Sequence, residues 1–227
     1  MVRGPAAPDR FVFSQGGGEL YARVLRLKND PGKIDEAISQ WTQQILPLIK
    51  KQKGFAGISM MGNRKTGDGF SVGYWDTEQA MKDAKPQVRP EADKVMTGFG
   101  GRIVEEDECE VAVQERFQPP KVGTWVRVTT VQGDPGKINE GISSYKSRAV
   151  PTVKQQGGAR AAILLVNRAA GKSFSGTIWD TEKDLQNSEA ALSGIRKEVS
   201  DQAGAKNPRV EVFEVFYTEI PAAVVSR

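Results

Sequence analysis

The side chains whose types could do chemistry come in matched pairs at one spacing: Arg23 and Arg127, Trp75 and Trp179, Glu110 and Glu214, each 104 residues apart. An arginine facing a glutamate can neutralise it as a buried ion pair, or the two can grip an anionic or phenolic ligand. A tryptophan can plug the end of a strand or stack on an aromatic ligand. Both readings stay open for each pair. Tyr21, with Trp125 at the matching position, adds a phenol to the first set. The sequence has no histidine, which removes Ser-His and Cys-His nucleophiles, the usual imidazole base, common zinc sites and a histidine haem ligand. The single cysteine, Cys109, permits neither an internal disulfide nor a cysteine metal site, so no metal centre is expected. Gly171-Lys172-Ser173 looks like the end of a P-loop, but Val166 stands where the first glycine belongs and a strand follows, so nucleotide binding is rejected. Asn63 and Asn167 read as turn formers, each opening a hairpin.

The spacing belongs to a repeat of the whole chain. Asp30-Pro31-Gly32-Lys33-Ile34 returns as Asp134-Pro135-Gly136-Lys137-Ile138, and Trp75-Asp76-Thr77-Glu78 as Trp179-Asp180-Thr181-Glu182, without a gap. Over residues 21–115 the same offset gives 28 identities in 95 positions. Solenoid repeats run at about 20 to 50 residues, so this longer period predicts a duplicated domain.

Within one copy, Tyr21 to Lys28 reads as a strand, and Asp30 and Pro31 then supply an N-cap and a favoured first helical residue. Ile34, Ile38, Trp41, Ile45 and Leu48 make the apolar stripe of a helix that Pro47 should kink or restart, as should Pro151 in the second copy. Gly54 and Gly158 stand where a helix end needs positive φ. Phe55 to Asn63 and Gly69 to Trp75 read as two strands, Asp76 or Thr77 caps a second helix, and Glu106 to Phe117 reads as a last strand. The order βαββαβ is the ferredoxin-like arrangement. Its open sheet face is too apolar for water, so the expected fold is α+β: tandem ferredoxin-like units whose sheets stack into an intramolecular dimeric α+β barrel.

Strand alternation assigns faces. Phe70, Val72 and Tyr74, the more apolar set, are expected against the helices, as are Val24, Cys109, Val111 and Val113. Ser71, Gly73 and Trp75 then face the opposite sheet. So do Tyr21, Arg23 and Glu110, with Trp125, Arg127, Trp179 and Glu214 in the second copy. Arg23 is expected to pair with Glu110, and Arg127 with Glu214. The copies differ at Tyr21/Trp125, Gly73/Thr177 and Ala112/Phe216, each exchange adding bulk to the second, so pocket volume is expected in the first copy around Trp75, Gly73, Arg23 and Tyr21.

The composition, 38% hydrophobic and 26% charged with a net charge of +4, suits a folded chain. Lys50, Lys51 and Lys53 read as a solvated helix end, so no nucleic-acid partner is expected. The longest apolar run, Ala161 to Val166, is too short to span a bilayer, and residues 1–18 lack the apolar stretch of a signal peptide. No membrane association and a cytoplasmic location are therefore expected. Residues 1–19 read as a flexible leader, 20–117 and 124–219 as the two domains, 118–123 as a linker and 220–227 as a tail.

Trp-Asp-Thr-Glu after the third strand, Pro-Gly-Lys at the first helix and Gly54-Phe55 from helix to strand resemble the antibiotic biosynthesis monooxygenase-like family of dimeric α+β barrels, over both halves. The resemblance implies two family domains in one chain. It further implies oxidation of an aromatic or phenolic small molecule by O2 with no cofactor, or cleavage of haem, while other members have no established activity. The family's cavity tryptophan matches Trp75 and Trp179. The histidine of the haem-degrading members falls at Ala84 and Ser188, which speaks against haem degradation. A cofactor-independent monooxygenase would use Trp75, Trp179, Arg23, Arg127 and Tyr21 around a phenolate. The alternative is a non-catalytic small-molecule-binding or stress-related barrel, and a homo-oligomer of the fused unit stays open for either.

Overall fold

The computed structural model describes residues 19–205 and 207–220; the leader up to residue 18 and the tail from 221 lie outside them. The first half supplies strands β1 (Tyr21–Lys28), β2 (Phe55–Gly62), β3 (Asp68–Trp75) and β4 (Arg102–Arg116). The second supplies β5 (Trp125–Gln132), β6 (Ala159–Asn167), β7 (Lys172–Trp179) and β8 (Arg209–Glu219). Each half pairs its strands in the order 4-1-3-2, that is β4-β1-β3-β2 and β8-β5-β7-β6. The β2–β8 and β4–β6 pairings then join the halves into one closed antiparallel barrel. Among the described residues closure leaves no strand edge to template aggregation, and the fold is the α+β barrel expected.

The helices form for the reasons the repeat suggests. Asp30 accepts a hydrogen bond from the Gly32 N–H at 2.9 Å, and Asp134 from Gly136 at 2.8 Å, opening the leading helices over 31–50 and 135–154. Pro47 and Pro151 do not break them. Each helix instead widens into a π turn, Trp41–Ile45 and Tyr145–Ala149, just ahead of the proline. A proline has no N–H to give and its ring crowds the carbonyl four residues back; a wider turn accommodates both. Thr77 and Thr181 cap the covering helices by accepting from the N–H groups of Ala80 and Asp184, each at 3.1 Å. The first covering helix is continuous, Glu78–Gly98, whereas the second divides at Ser188 into Glu182–Asn187 and Glu189–Gln202.

Three apolar cores result. One fills the barrel, with Val24, Phe70, Val72, Phe174 and Phe213 among its members; Phe70 meets Phe174 and Phe213 edge-on at 6.2 and 5.4 Å between centroids. The others lie between each sheet and its helices and contain Trp75 and Trp179. The face assignment from sequence is therefore inverted. Phe70, Val72, Tyr74, Val24, Cys109 and Val111 point into the barrel, while Arg23 and Trp75, with Arg127 and Trp179, lie under the helices. The physical reason is that helices outside and a packed interior bury both faces of a strand, so the more apolar set need not be the helix-facing one.

β4 starts at Arg102, earlier than expected. A bulge between Val111 and Val113 turns Val113 onto the second half's helix layer. The matched hairpins tie the halves reciprocally: Arg64 binds Glu214 at 3.0 Å, and Arg168 binds Glu110 at 2.7 Å. Asn63 accepts from the N–H groups of Lys65 and Thr66, and Asn167 from that of Ala170, so both form their turns.

Candidate functional site

The expected pairings Arg23–Glu110 and Arg127–Glu214 do not occur. In the register Glu110 lies beside Tyr21, and Arg23 beside Glu108; Glu214 lies beside Trp125, and Arg127 beside Val212. Arg23 donates to the Met81 carbonyl at 2.7 Å and to Glu108 at 3.1 Å, and its Nε forms an ion pair with Glu106 at 3.0 Å. Arg127 bonds the Leu185 carbonyl at 2.8 Å, the Ser188 hydroxyl at 3.0 Å and Glu189 at 3.0 Å. Both guanidinium groups thus clamp the start of a covering helix onto the sheet. Burial lowers the proton affinity of Arg127, and Glu189 partly restores it. Glu106 gathers Arg23, Lys85 and Arg89, a carboxylate the sequence reading did not single out. Its signal was present in the acidic run Glu105-Glu106-Asp107-Glu108. Glu110 and Glu214 lie at the hairpins instead, and the Tyr21 hydroxyl faces Glu19 at 3.4 Å.

The two tryptophans are buried but not equivalent. Trp179 donates its indole N–H to the Thr177 hydroxyl at 3.1 Å. Trp75 lies over Gly73, where an added Cβ would come within 2.6 Å of the ring. With no hydroxyl there, the enclosed Trp75 N–H has no acceptor among the described residues. Arg23 stands 5.5 Å from the Trp75 ring centre, within cation–π range.

Cavities lie between each sheet and its helices. One of about 80 Å3 is in the second half. Thr129, Ser173, Ser175, Thr177 and Arg127 line its sheet side, and Ile142, Tyr145, Leu192, Ile195 and Val199 are among its apolar walls. The first half holds two smaller ones, about 60 and 50 Å3, with Leu25, Ser71 and Ala92 bordering both. Trp75 and Arg23 line the latter. The first half's space is thus divided, and its cavity around Trp75, Gly73 and Arg23 is smaller than the single cavity of the second half. Leu25, Ile45 and Phe99 stand where the second half has Thr129, Ala149 and Ala203, and the smaller side chains merge the space. Phe216, expected to fill the second half, borders the first half's 60 Å3 cavity, because β8 pairs with β2.

At the position of the haem-degraders' histidine, Ala84 is buried, and the buried Ser188 donates to the Leu185 carbonyl at 2.6 Å. Among the described residues no cluster of carboxylates and cysteine has a metal-binding arrangement, and no helix is long and apolar enough to cross a membrane.

No protein-family model matches the chain. Two Mycobacterium tuberculosis proteins are similar in sequence. Uncharacterized protein Rv2557 is 27% identical over 190 residues, 84% of each chain. Uncharacterized protein Rv2558 is 24% identical over 200 residues, 88% of this chain and 84% of its own. Among solved structures, a candidate monooxygenase of Fusobacterium nucleatum superposes with a TM-score of 0.69 at 13% identity, covering 90% of this chain and 96% of that one. An anthrone oxidase-like protein gives 0.65 at 13%, covering 92% and 95%. A Listeria monocytogenes ferredoxin-fold protein related to antibiotic biosynthesis monooxygenases gives 0.51 at 10%, covering 88% and 96%. With its two four-stranded sheets closed into one barrel and its helices outside, the chain has the dimeric α+β barrel fold of the antibiotic biosynthesis monooxygenase-like proteins.

Proposed function

We propose that the protein is an oxidase or monooxygenase of a small aromatic molecule with an acidic phenol, bound in the second half's cavity between sheet and helices. The observation that carries this is the lining: apolar walls on the helix side, and on the sheet side a row of hydroxyls ending at Arg127. A largely apolar cavity with a few convergent polar groups is the usual form of a small-molecule site. Among the described residues the lining holds no carboxylate and no imidazole, so none of those side chains is suited to act as a general base at neutral pH. A substrate fitting this site ionises readily by itself, with Arg127 and Arg196 favouring its anion. Such an anion can give electrons to O2 directly: a methylene between two aromatic rings and O2 become a carbonyl and water, with no external reductant. The anthrone oxidase-like neighbour lends this class of substrate.

The halves, 20–117 and 124–219 with 118–123 between them, are read as copies of one ancestral unit, of which the second keeps the roomier site. The test is oxygen uptake with anthrone, paired with calorimetric binding. Thr129→Leu with Ala149→Ile installs the first half's residues and closes the cavity. Turnover that is lost in this double variant, with its folding intact, supports the reading. Binding without oxygen uptake would leave a non-catalytic binding protein in its place, and turnover unchanged by the closure would sink the assigned site.

A further inference from the structure

The barrel interior contains a void the proposed function does not use. It measures about 50 Å3, and its walls include Val72, Val128, Ile163, Leu165 and Phe174. Ser59, Met61, Val126, Ile178 and Ile220 border both this void and a second one of about 30 Å3 at one mouth of the barrel. Arg116 lines that mouth.

Tyr74 lines the 50 Å3 void and Arg116 the mouth, and Gln114 lies two residues before Arg116 on the same face of β4. Gln114 and Arg116 pair in register with Ile163 and Ala161 of β6, both residues of the barrel core. Tyr74 is buried in the same core. The Nε and Nη2 of Arg116 and the Nε2 of Gln114 are enclosed without a hydrogen-bond partner among the described residues. Burial lowers the proton affinity of Arg116 and pushes the Tyr74 phenol up to about 12, and each group acts electrostatically on the other. All three can donate hydrogen bonds. An enclosed cation and amide left without acceptors are costly, and such groups call for an explanation.

The second half offers no mirror image of this cluster. At the matching positions Tyr74 is replaced by Ile178, Arg116 by Ile220 and Gln114 by Thr218. One side of this end of the barrel is therefore rich in donors, and Val126, Ile178, Val215 and Ile220 give the opposite side an apolar wall, with Lys121 and Arg160 at the mouth. That division fits a molecule with one anionic end and a hydrocarbon body.

We propose that the barrel interior is a second binding site, for a small monocarboxylate whose apolar body lies in the barrel void and whose carboxylate is held by Arg116 with Gln114 and Tyr74. A planar carboxylate matches the guanidinium fork and supplies the acceptors these donors lack. The site is distinct from the helix–sheet cavities, sharing Ser175 with the 80 Å3 one and Met61 and Phe70 with the 60 Å3 one.

The experiment is calorimetric titration of the full chain with hexanoate, hexan-1-ol and hexylamine, on the wild type, Arg116→Met and the Thr129→Leu/Ala149→Ile double variant. Hexanoate should bind at least tenfold more tightly than hexan-1-ol, and hexylamine should give no saturable heat. Arg116→Met should weaken hexanoate at least tenfold, while the double variant binds it as the wild type does. Without ligand, Arg116→Met should melt at the same temperature or higher, because it removes a charge whose enclosed Nε and Nη2 have no partner among the described residues. Four results would each overturn the proposal: no saturable hexanoate binding up to millimolar concentration, equal affinity for acid and alcohol, Arg116→Met binding like the wild type, or a lowered melting temperature for that variant. Loss of hexanoate in the cavity-closing double variant would transfer the carboxylate to the helix–sheet site.

Discussion

Thr177→Val isolates the difference between the two tryptophans. Valine keeps the shape of threonine but cannot accept the Trp179 N–H bond of 3.1 Å. Trp179 is completely buried, so its N–H would find neither water nor another acceptor. Leaving one buried donor unsatisfied costs about 1–3 kcal/mol. For a chain of this size each kcal/mol lowers Tm by roughly 2–4 °C, so a fall of about 2–12 °C is expected. Urea unfolding followed by circular dichroism gives the free energy without relying on tryptophan emission. Trp179→Phe should then cost about 1–3 kcal/mol less in the Thr177→Val background than in the wild type, since the orphaned N–H leaves with the indole. Trp75→Phe breaks no hydrogen bond among the described residues, where its N–H has no partner. A Thr177→Val variant within about 0.5 kcal/mol of the wild type would refute the reasoning and make the Trp179 contact energetically idle.

Glu106→Gln should cost about 1–3 kcal/mol in urea unfolding, because buried Arg23 loses one of its two carboxylates and keeps Glu108 at 3.1 Å; Glu110→Gln, at a more exposed ion pair, should cost less than about 1 kcal/mol. The Cys109 thiol, raised by burial and by Asp107, should be inert to Ellman's reagent at pH 8 in the native protein and react once urea unfolds it. Burial raises Tyr74 to about 12, so its neutral form is favoured in the fold. Its contribution is complete below the unfolded tyrosine's pKa near 10 and is lost as pH rises toward about 12. Compared with Tyr74→Phe, the wild type should therefore lose more stability between those pH values, and parallel curves would count against a buried phenol.

The element order was legible because it rests on local signals that occur twice. Asp30 and Asp134 cap helices, Thr77 and Thr181 cap others, and Gly54 and Gly158 both adopt φ of 73°. None of these depends on distant contacts. The π turns were not legible, since Pro47 and Pro151 announce trouble with the hydrogen bonding but not which remedy the helix adopts. Grouping by face also succeeded: Arg23 and Trp75 do share a side, as do Phe70, Val72 and Tyr74. Alternation fixes which residues go together, and only a contrast in burial tells which side they take. Here Ser71 and Phe70, on opposite faces, are both buried, so that contrast was missing.

The candidate site was harder to read for a reason that follows from barrel closure. By repeat position Phe216 belongs to the second half, where its bulk would fill that half's pocket. β8, however, crosses to pair with β2, and a bulge between Met60 and Met61 shifts the register along that seam. Phe216 thereby borders the first half's cavity, and Arg64 rests over its ring at 4.6 Å from the centre. β4 does the converse, taking Val113 into the second half's helix layer and turning Gln114 and Arg116 into the barrel. Each half is thus finished by the last strand of the other. A substitution near the end of β4 or β8 should therefore change the cavity of the opposite half. Phe216→Ala is the direct case, for it should enlarge the cavity beside Trp41 in the first half and leave the second half's 80 Å3 space unaltered. Binding of a fluorescent apolar probe that is gained in Phe216→Ala and abolished again by filling the first half with Ala37→Leu would bear this out; gain that survives Ala37→Leu would mean the strands do not exchange roles in this way.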